Sequence, residues 1–393
     1  MDLMDRVGAL PDNEIRRRRS LPAAHQPAWD AGAAAEVGAT LAGMPGLVEV
    51  EEVRRLGALL AEVAEGRAQV VQAGDCAEDP AECRPGDLTR KVGLLDAVAG
   101  AMAAGAGLPV IRVGRFAGQF AKPRSAAVER VDGVEMPVYA GHMVNRPEPD
   151  PELRRPNPHR MLACYTASRA ALAFLRGPSG DRDVWASHEA LVLDYELPML
   201  RRDADGDTVL SSTHWPWIGE RTRRPDGAHV DLLASVVNPV ACKVGPTASA
   251  DDLLALCARL DPHRTPGRLT LIPRMGADVV AERLPALVAA VRALGHPVIW
   301  LCDPMHANTV TNAEGLKSRL LTAITREVRS FREAVAGAGG VAGGLHLETT
   351  PDDVTECAAD EAGLADVGAE YTTLCDPRLN PGQALAVAAV WGE

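Results

Sequence analysis

Short apolar runs ending in glycine, proline or charge recur along the chain, and between them lie longer stretches with apolar residues at helical spacing. The runs read as buried strands: Val70 to Gly74, Pro109 to Gly114, Asp183 to Ser187, Pro239 to Gly245, Arg268 to Arg274, Pro297 to Asp303, Leu345 to Glu348 and Tyr371 to Asp376. Helices are predicted over about 44–65, 160–175 and 278–294, the last stopped by Gly295. Leu316, Leu320, Leu321, Ile324, Val328, Phe331 and Val335 form a further stripe at helical spacing. Ser249 caps another helix, and Thr350-Pro351-Asp352-Asp353 reads as the start of one more. The polar and aromatic stretch Ser211 to Arg223 reads as too irregular for a core element, and residues 132–158 as mostly loop. Eight strands, most followed by a helix, predict a parallel sheet of the α/β class, closed as a (β/α)8 TIM barrel. An N-terminal arm and helix over residues 1–55 would precede a barrel over 56–393. A doubly wound open sheet is the alternative, but no GxGxxG follows the first strand and no Walker loop is present.

The length of 393 residues fits one barrel with insertions, and a hydrophobic share of 47% supplies its core. A net charge of −12 excludes a general nucleic-acid surface, although a few arginines in a cleft could still hold phosphorylated substrates. Eight cysteines without CxxC spacing indicate neither a disulfide framework nor a zinc knuckle. The polar N-terminus carries Arg16 to Arg19, read as a solvated tail, with no apolar run after it as in a signal peptide. No stretch is suited to a membrane span, so a cytoplasmic protein is expected.

In a barrel, the residues just past each strand meet on one face. Here they are Cys76, Arg115, Glu189, Lys243, Arg274, His306, Glu348 and Asp376, a set chosen by position that contains no apolar residue. Cys76, His306, Glu348 and Asp376 could form a divalent-metal site. Mixed sulfur, nitrogen and oxygen donors suit Mn2+, Fe2+, Co2+ or Zn2+ better than Ca2+ or Mg2+. The bland alternative is a set of unrelated loop and helix-start residues. Arg115, Lys122, Arg124, Arg221, Lys243 and Arg274 form a cationic group in an acidic chain, suited to substrates with several negative charges. Surface salt bridges explain Arg223 and Arg224 better than they explain Lys243 or Arg274.

Several of these stretches are recognisable. They include Gln72-Ala73-Gly74-Asp75-Cys76-Ala77-Glu78, Arg115 through Ser125, Ser187-His188-Glu189, Trp217-Ile218-Gly219-Glu220-Arg221 and Asn238 through Pro246. Arg274-Met275-Gly276-Ala277, Cys302-Asp303-Pro304-Met305-His306, Gly344-Leu345-His346-Leu347-Glu348 and Cys375-Asp376-Pro377-Arg378 follow in the same order. From about Leu21 to the C-terminus the chain resembles the type II, plant-like 3-deoxy-D-arabino-heptulosonate 7-phosphate (DAHP) synthases. The resemblance implies a metal-dependent transferase that condenses phosphoenolpyruvate with erythrose 4-phosphate, the first step of the shikimate pathway of aromatic amino acid biosynthesis. It implies a metal, Mn2+ first with Co2+, Fe2+ or Zn2+ as alternatives, on Cys76, His306, Glu348 and Asp376. It makes Arg115, Glu220 (through its backbone), Arg221, Lys243 and Arg274 binders of phosphoenolpyruvate. Lys122, Arg124, Ser125 and Glu189 become the neighbourhood of the aldose phosphate, with Lys122, Glu189 and Arg115 as catalytic candidates. A homodimer or homotetramer is also implied.

Two departures matter. Ala73-Gly74 stands where the family has two glycines, and Tyr139-Ala140-Gly141-His142 where it has Tyr-Arg-Gly-Asp. The second keeps open a modified aldose, an amino or imino analogue of erythrose 4-phosphate. Another metal-dependent aldolase or hydrolase, or a non-catalytic regulatory partner, ranks lower. The short stretch from Ser125 to Glu189 lacks the family's regulatory helical insertion, which implies secondary metabolism and weak or no inhibition by aromatic amino acids. Cys375, beside Asp376, is expected near Cys76, where oxidation could join the two thiols and expel the metal.

Overall fold

A computed structural model describes residues 8–177 and 183–393; the first seven residues of the expected arm lie outside the described residues. Eight parallel strands close a barrel in sequence order: β1 (Gln69–Gly74), β2 (Val110–Arg115), β3 (Val184–Glu189), β4 (Trp215–Ile218), β5 (Val240–Val244), β6 (Leu269–Pro273), β7 (Ile299–Cys302) and β8 (Val341–Glu348). The expected (β/α)8 fold is therefore present, and the open sheet is not. Register sets the level of the site, because Gly74 pairs with Arg115 on one side and Glu348 on the other.

Two strand assignments change. Trp215–Ile218 is β4, hydrogen-bonded between β3 and β5. Its indoles fill the barrel instead of a β-branched stripe: Trp215 and Trp217 pack with Val70, Ile111, Val113, Trp185, Ala241, Ile272, Ile299 and Leu301. Four residues containing a proline show neither the alternation nor the composition by which a strand is recognised. Conversely, residues 371–376 form a loop, with Leu374 exposed. The strand in that part of the barrel is β8, which begins at Val341, four residues ahead of the expected Leu345 and inside a glycine-rich stretch. Gly344 makes this possible, since a Cβ there would lie 1.7 Å from the Val70 carbonyl oxygen of the neighbouring strand. No helix starts at Thr350 either; a single 3-10 turn, Ala362–Asp366, follows in that region.

Helix α1 (Asp12–Arg19) shows that the arginine run is not a free tail. Arg18 is buried, Arg17 and Arg18 pair with Asp231, and Arg19 pairs with Asp194. Opposite charges on the barrel recruit the arm. After α2 (Ala31–Ala42), α3 (Val50–Ala64) closes the bottom of the barrel by sending Leu56, Leu60 and Val63 into its interior cluster. The outer ring is α4 (Pro85–Ala106), α5 (Arg160–Arg176), α6 (Leu193–Glu196), α7 (Ala228–Ala234), α8 (Ala250–Leu260), α9 (Val280–Ala293), α10 (Leu321–Gly337) and α11 (Pro381–Gly392). A hairpin, Val128–Val131 with Val134–Pro137, interrupts the expected loop of residues 132–158. No helix among the described residues is long and apolar enough to cross a membrane.

Candidate active site

The C-terminal ends of the strands open into a cleft of about 570 Å3. Its lining includes Lys122, Arg124, Ser125, Glu189, Glu220, Arg221, Lys243, Arg274, His306 and Asp376, ten of the thirteen residues singled out in the sequence. The other three, Cys76, Arg115 and Glu348, lie buried beneath it.

Donor atoms of Cys76, Glu348 and Asp376 all lie within 4.8 Å of one another. His306 stands beside this group, its Nε2 3.2 Å from Glu348 Oε1, while its Nδ1 faces Asp303 Oδ2 at 2.8 Å. Asp303 is fully buried, accepts the backbone N–H of Met305 and pairs with Lys243 at 3.0 Å, so it fixes the imidazole's orientation. Burial opposes the charge of Glu348, yet His306, Lys122, Arg319 and Arg115 hold its carboxyl well below the usual range. Lys122 sends its ammonium among the donors, paired with Asp376, in contact with Cys76 and 3.6 Å from Glu348. Burial disfavours that ammonium, but Cys76, Glu348 and Asp376 keep it protonated. A thiol, two acids and an imidazole are thus gathered at one point as a mixed sulfur, oxygen and nitrogen donor set. That set fits a divalent cation of the Mn2+, Fe2+, Co2+ or Zn2+ type.

Arg115 forms part of the floor. Its guanidinium donates to the Asp75 carbonyl at 3.2 Å and Glu348 at 3.1 Å, lies 2.6 Å from His346 Nε2, and stacks over Trp217. Lys243 and Arg274 stand on the His306 side, where Arg274 donates to the His306 carbonyl at 2.9 Å. Arg221 reaches across from β4 to Ser125 Oγ at 2.7 Å, and the Glu220 carboxylate is engaged by Arg223 and the Gly245 N–H. Glu189 differs from these. Burial raises its carboxyl pKa, and its buried Oε1 has no hydrogen-bond partner. Glycine at 219 makes room for this carboxylate, since a Cβ there would lie 2.1 Å from that oxygen.

The loop after β2, which carries Lys122, is shaped by Glu78. The fully buried Glu78 carboxylate accepts the backbone N–H groups of Ala117, Gly118 and Gln119 at 2.8–2.9 Å. Ala117 is thereby held in the left-handed region, at φ 64°. Tyr139 to His142 lies behind this loop: the Ala140 carbonyl accepts the Lys122 N–H, and His142 pairs with the Tyr139 hydroxyl and faces Asp79. None of these four residues lines the cleft. Cys375 touches Cys76, as expected, and both thiols are free.

Three contributors escaped the sequence reading. Lys317 reaches Asp376 Oδ1 at 2.8 Å from a hairpin, Thr309–Thr311 with Lys317–Arg319, that carries no motif. Arg319, fully buried, holds Glu348 Oε2 at 2.8 Å. Asp303 did carry a signal, an acid three residues before a candidate metal-ligating histidine.

A sequence profile described as the class-II DAHP synthetase family matches residues 13–182 and 178–391. The chain belongs to this family. Among its relatives, a probable phospho-2-dehydro-3-deoxyheptonate aldolase of Pseudomonas fluorescens is 53% identical over 385 residues, covering 96% of each chain. The phospho-2-dehydro-3-deoxyheptonate aldolase of Mycolicibacterium smegmatis is 36% identical over 455 aligned positions, covering 99% of this chain and 97% of its own. That alignment is longer than the 393 residues here, so the mycobacterial family member carries segments this one lacks. The structure of phospho-2-dehydro-3-deoxyheptonate aldolase from Francisella tularensis shares the fold, with a TM-score of 0.54 at 12% identity over 91% of this chain and 95% of its own.

Proposed function

We propose that this family member condenses phosphoenolpyruvate with erythrose 4-phosphate to give DAHP and inorganic phosphate. The observation that carries the reading is the juxtaposition of a metal-competent donor cluster with a cleft ringed by Lys122, Arg124, Arg221, Lys243, Arg274 and Lys317. Two phosphates and a carboxylate repel one another, and six cations allow them to share one cleft. Lys243 and Arg274, with Arg221 and the Glu220 backbone, hold phosphoenolpyruvate on the His306 side. Arg124 and Ser125 hold the aldose phosphate, and Lys317 lines the same cleft beside Asp376. C3 of the enol phosphate then forms the new bond to the aldehyde carbon. Water adds its oxygen at C2, and phosphate departs with the bridging oxygen. A divalent ion on Cys76, His306, Glu348 and Asp376, Mn2+ in our reading, supplies Lewis-acid polarisation of the aldehyde when bound. In this reading Lys122 protonates the aldehyde oxygen, and Glu189, its carboxyl pKa raised by burial, moves a proton at the same centre.

The test is purified protein with Mn2+ or Co2+ and phosphoenolpyruvate, offered a panel of aldoses while released phosphate is followed. Erythrose 4-phosphate is expected to give the largest kcat/KM. Preference for its amino or imino analogue would establish the alternative aldose instead. Bound metal with no aldose-dependent phosphate would overturn both. In the same assay, phenylalanine and tryptophan are expected to leave the rate unchanged, consistent with segments missing relative to the mycobacterial enzyme.

A further inference from the structure

Helix α10 presents Ile324, Val328, Phe331 and Val335 to the core, yet the same buried face includes Glu327, which is 1% exposed. Its carboxylate binds two cleft loops at once. Oε1 accepts the backbone N–H groups of Met275 at 3.2 Å and Gly276 at 2.9 Å, the residues after Arg274. Oε2 accepts from the Asn308 amide at 2.5 Å, two residues beyond His306. Asn308 cannot turn over, because its amide nitrogen also donates to the Pro304 carbonyl and its oxygen accepts the Ala277 N–H. The loops after β6 and β7 are thus joined in front by Arg274 on the His306 carbonyl and behind by Glu327 and Asn308.

We infer that Glu327 is a positioning residue for phosphoenolpyruvate, setting the distance of Arg274 from Lys243 and His306 through the backbone of both loops. The inference rests on assigning Arg274 to that substrate. Among the described residues no lysine or arginine pairs with Glu327. The titratable groups facing it are Asp303 and the Cys302 thiol, both at the end of β7, while Asn308 and the two loop N–H groups meet it as neutral donors. Burial pushes its carboxyl up to about 7, with Asp303 adding to the effect and the three donors opposing it. As pH falls through neutrality the proton takes the remaining free lone pair of the carboxyl, its three accepted hydrogen bonds lose their charge assistance and the loops loosen. A carboxyl whose pKa is raised on folding favours the folded state on the acid side, so loosening there is local and not unfolding.

The experiment compares Glu327→Gln, Asn308→Ser and Arg274→Gln with wild type, measuring KM for each substrate and kcat across neutral pH, with thermal melts to verify folding. In Glu327→Gln the amide oxygen keeps both loop N–H groups, but its NH2 opposes that of Asn308. Wild-type KM for phosphoenolpyruvate is expected to rise below pH about 7. Glu327→Gln and Asn308→Ser are expected to raise it about tenfold at pH above that range, the loss of one charge-assisted hydrogen bond, with smaller changes in kcat and in the aldose KM. Glu327→Gln should also lose the acid limb. A folded Glu327→Gln with wild-type KM and acid limb overturns the inference, as does an equal loss in every parameter. If Glu327→Gln does not fold, Asn308→Ser decides alone. Raised KM in Arg274→Gln with neither partner variant affected overturns only the role of Glu327; unchanged KM in Arg274→Gln overturns the substrate assignment with it.

Discussion

Cys76→Ala is expected to leave the barrel folded and to remove both tight metal binding and aldose-dependent phosphate release. The thiol is 1% exposed at the end of β1, and its loss removes about one methyl-sized group from the interior, a cost of roughly 1 kcal/mol. Glu348 and Asp376 keep Lys122 and Arg319 as partners, so no buried acid is stranded. Outer-shell losses at metal sites cost about 10–100-fold in affinity, and loss of a donor should exceed that range. Calorimetric titration with Mn2+ beside a thermal melt measures both parts. Wild-type affinity in a folded variant would exclude Cys76 as a ligand.

Arg378→Met is expected to damage stability and metal affinity together. Arg378 donates to Glu356 through Nε at 3.1 Å and Nη2 at 2.8 Å, and to Asp75 Oδ1 at 2.9 Å, with Lys91 on the other Asp75 oxygen at 2.7 Å. Glu356 also accepts the N–H groups of Thr372, Thr373 and Arg378, so one buried carboxylate organises the loop that presents Asp376. Removing the guanidinium leaves Glu356 buried without its counter-charge, a loss of about 3–5 kcal/mol. Asp75 precedes Cys76 and Arg378 follows Asp376 by two residues, so the same change is expected to slacken two candidate metal donors, by about 10–100-fold in affinity. Urea midpoints and Mn2+ titration report the two effects. A stability loss with intact metal affinity would show that the network supports only the fold.

The candidate metal donors were legible for a reason that partly misled. Strand ends announce themselves through an apolar run, a glycine and a polar residue, and this identified Cys76 and Glu348 and the strands beneath them. Asp376 was selected by the same logic although it ends no strand. Its loop is joined to the barrel by the bridge between Thr349 and Leu379 and by the Arg378 network, long-range contacts that no local pattern encodes. Trp215–Ile218 failed in the opposite sense, since a strand whose side chains fill the barrel centre needs bulk more than alternation. Lys317 was invisible because an exposed lysine on a hairpin resembles any other until the fold brings it to Asp376. The expectation that Tyr139 to His142 touches the aldose meets a geometry in which these residues support the Lys122 loop from behind.

The Glu78 carboxylate does for the 117–119 turn what a bound anion does in a phosphate-binding loop, but the anion is part of the chain. The segment that delivers Lys122 is therefore finished when the barrel is. Its ordering entropy is met during folding, and a ligand entering the cleft finds a rigid wall with no loop left to recruit.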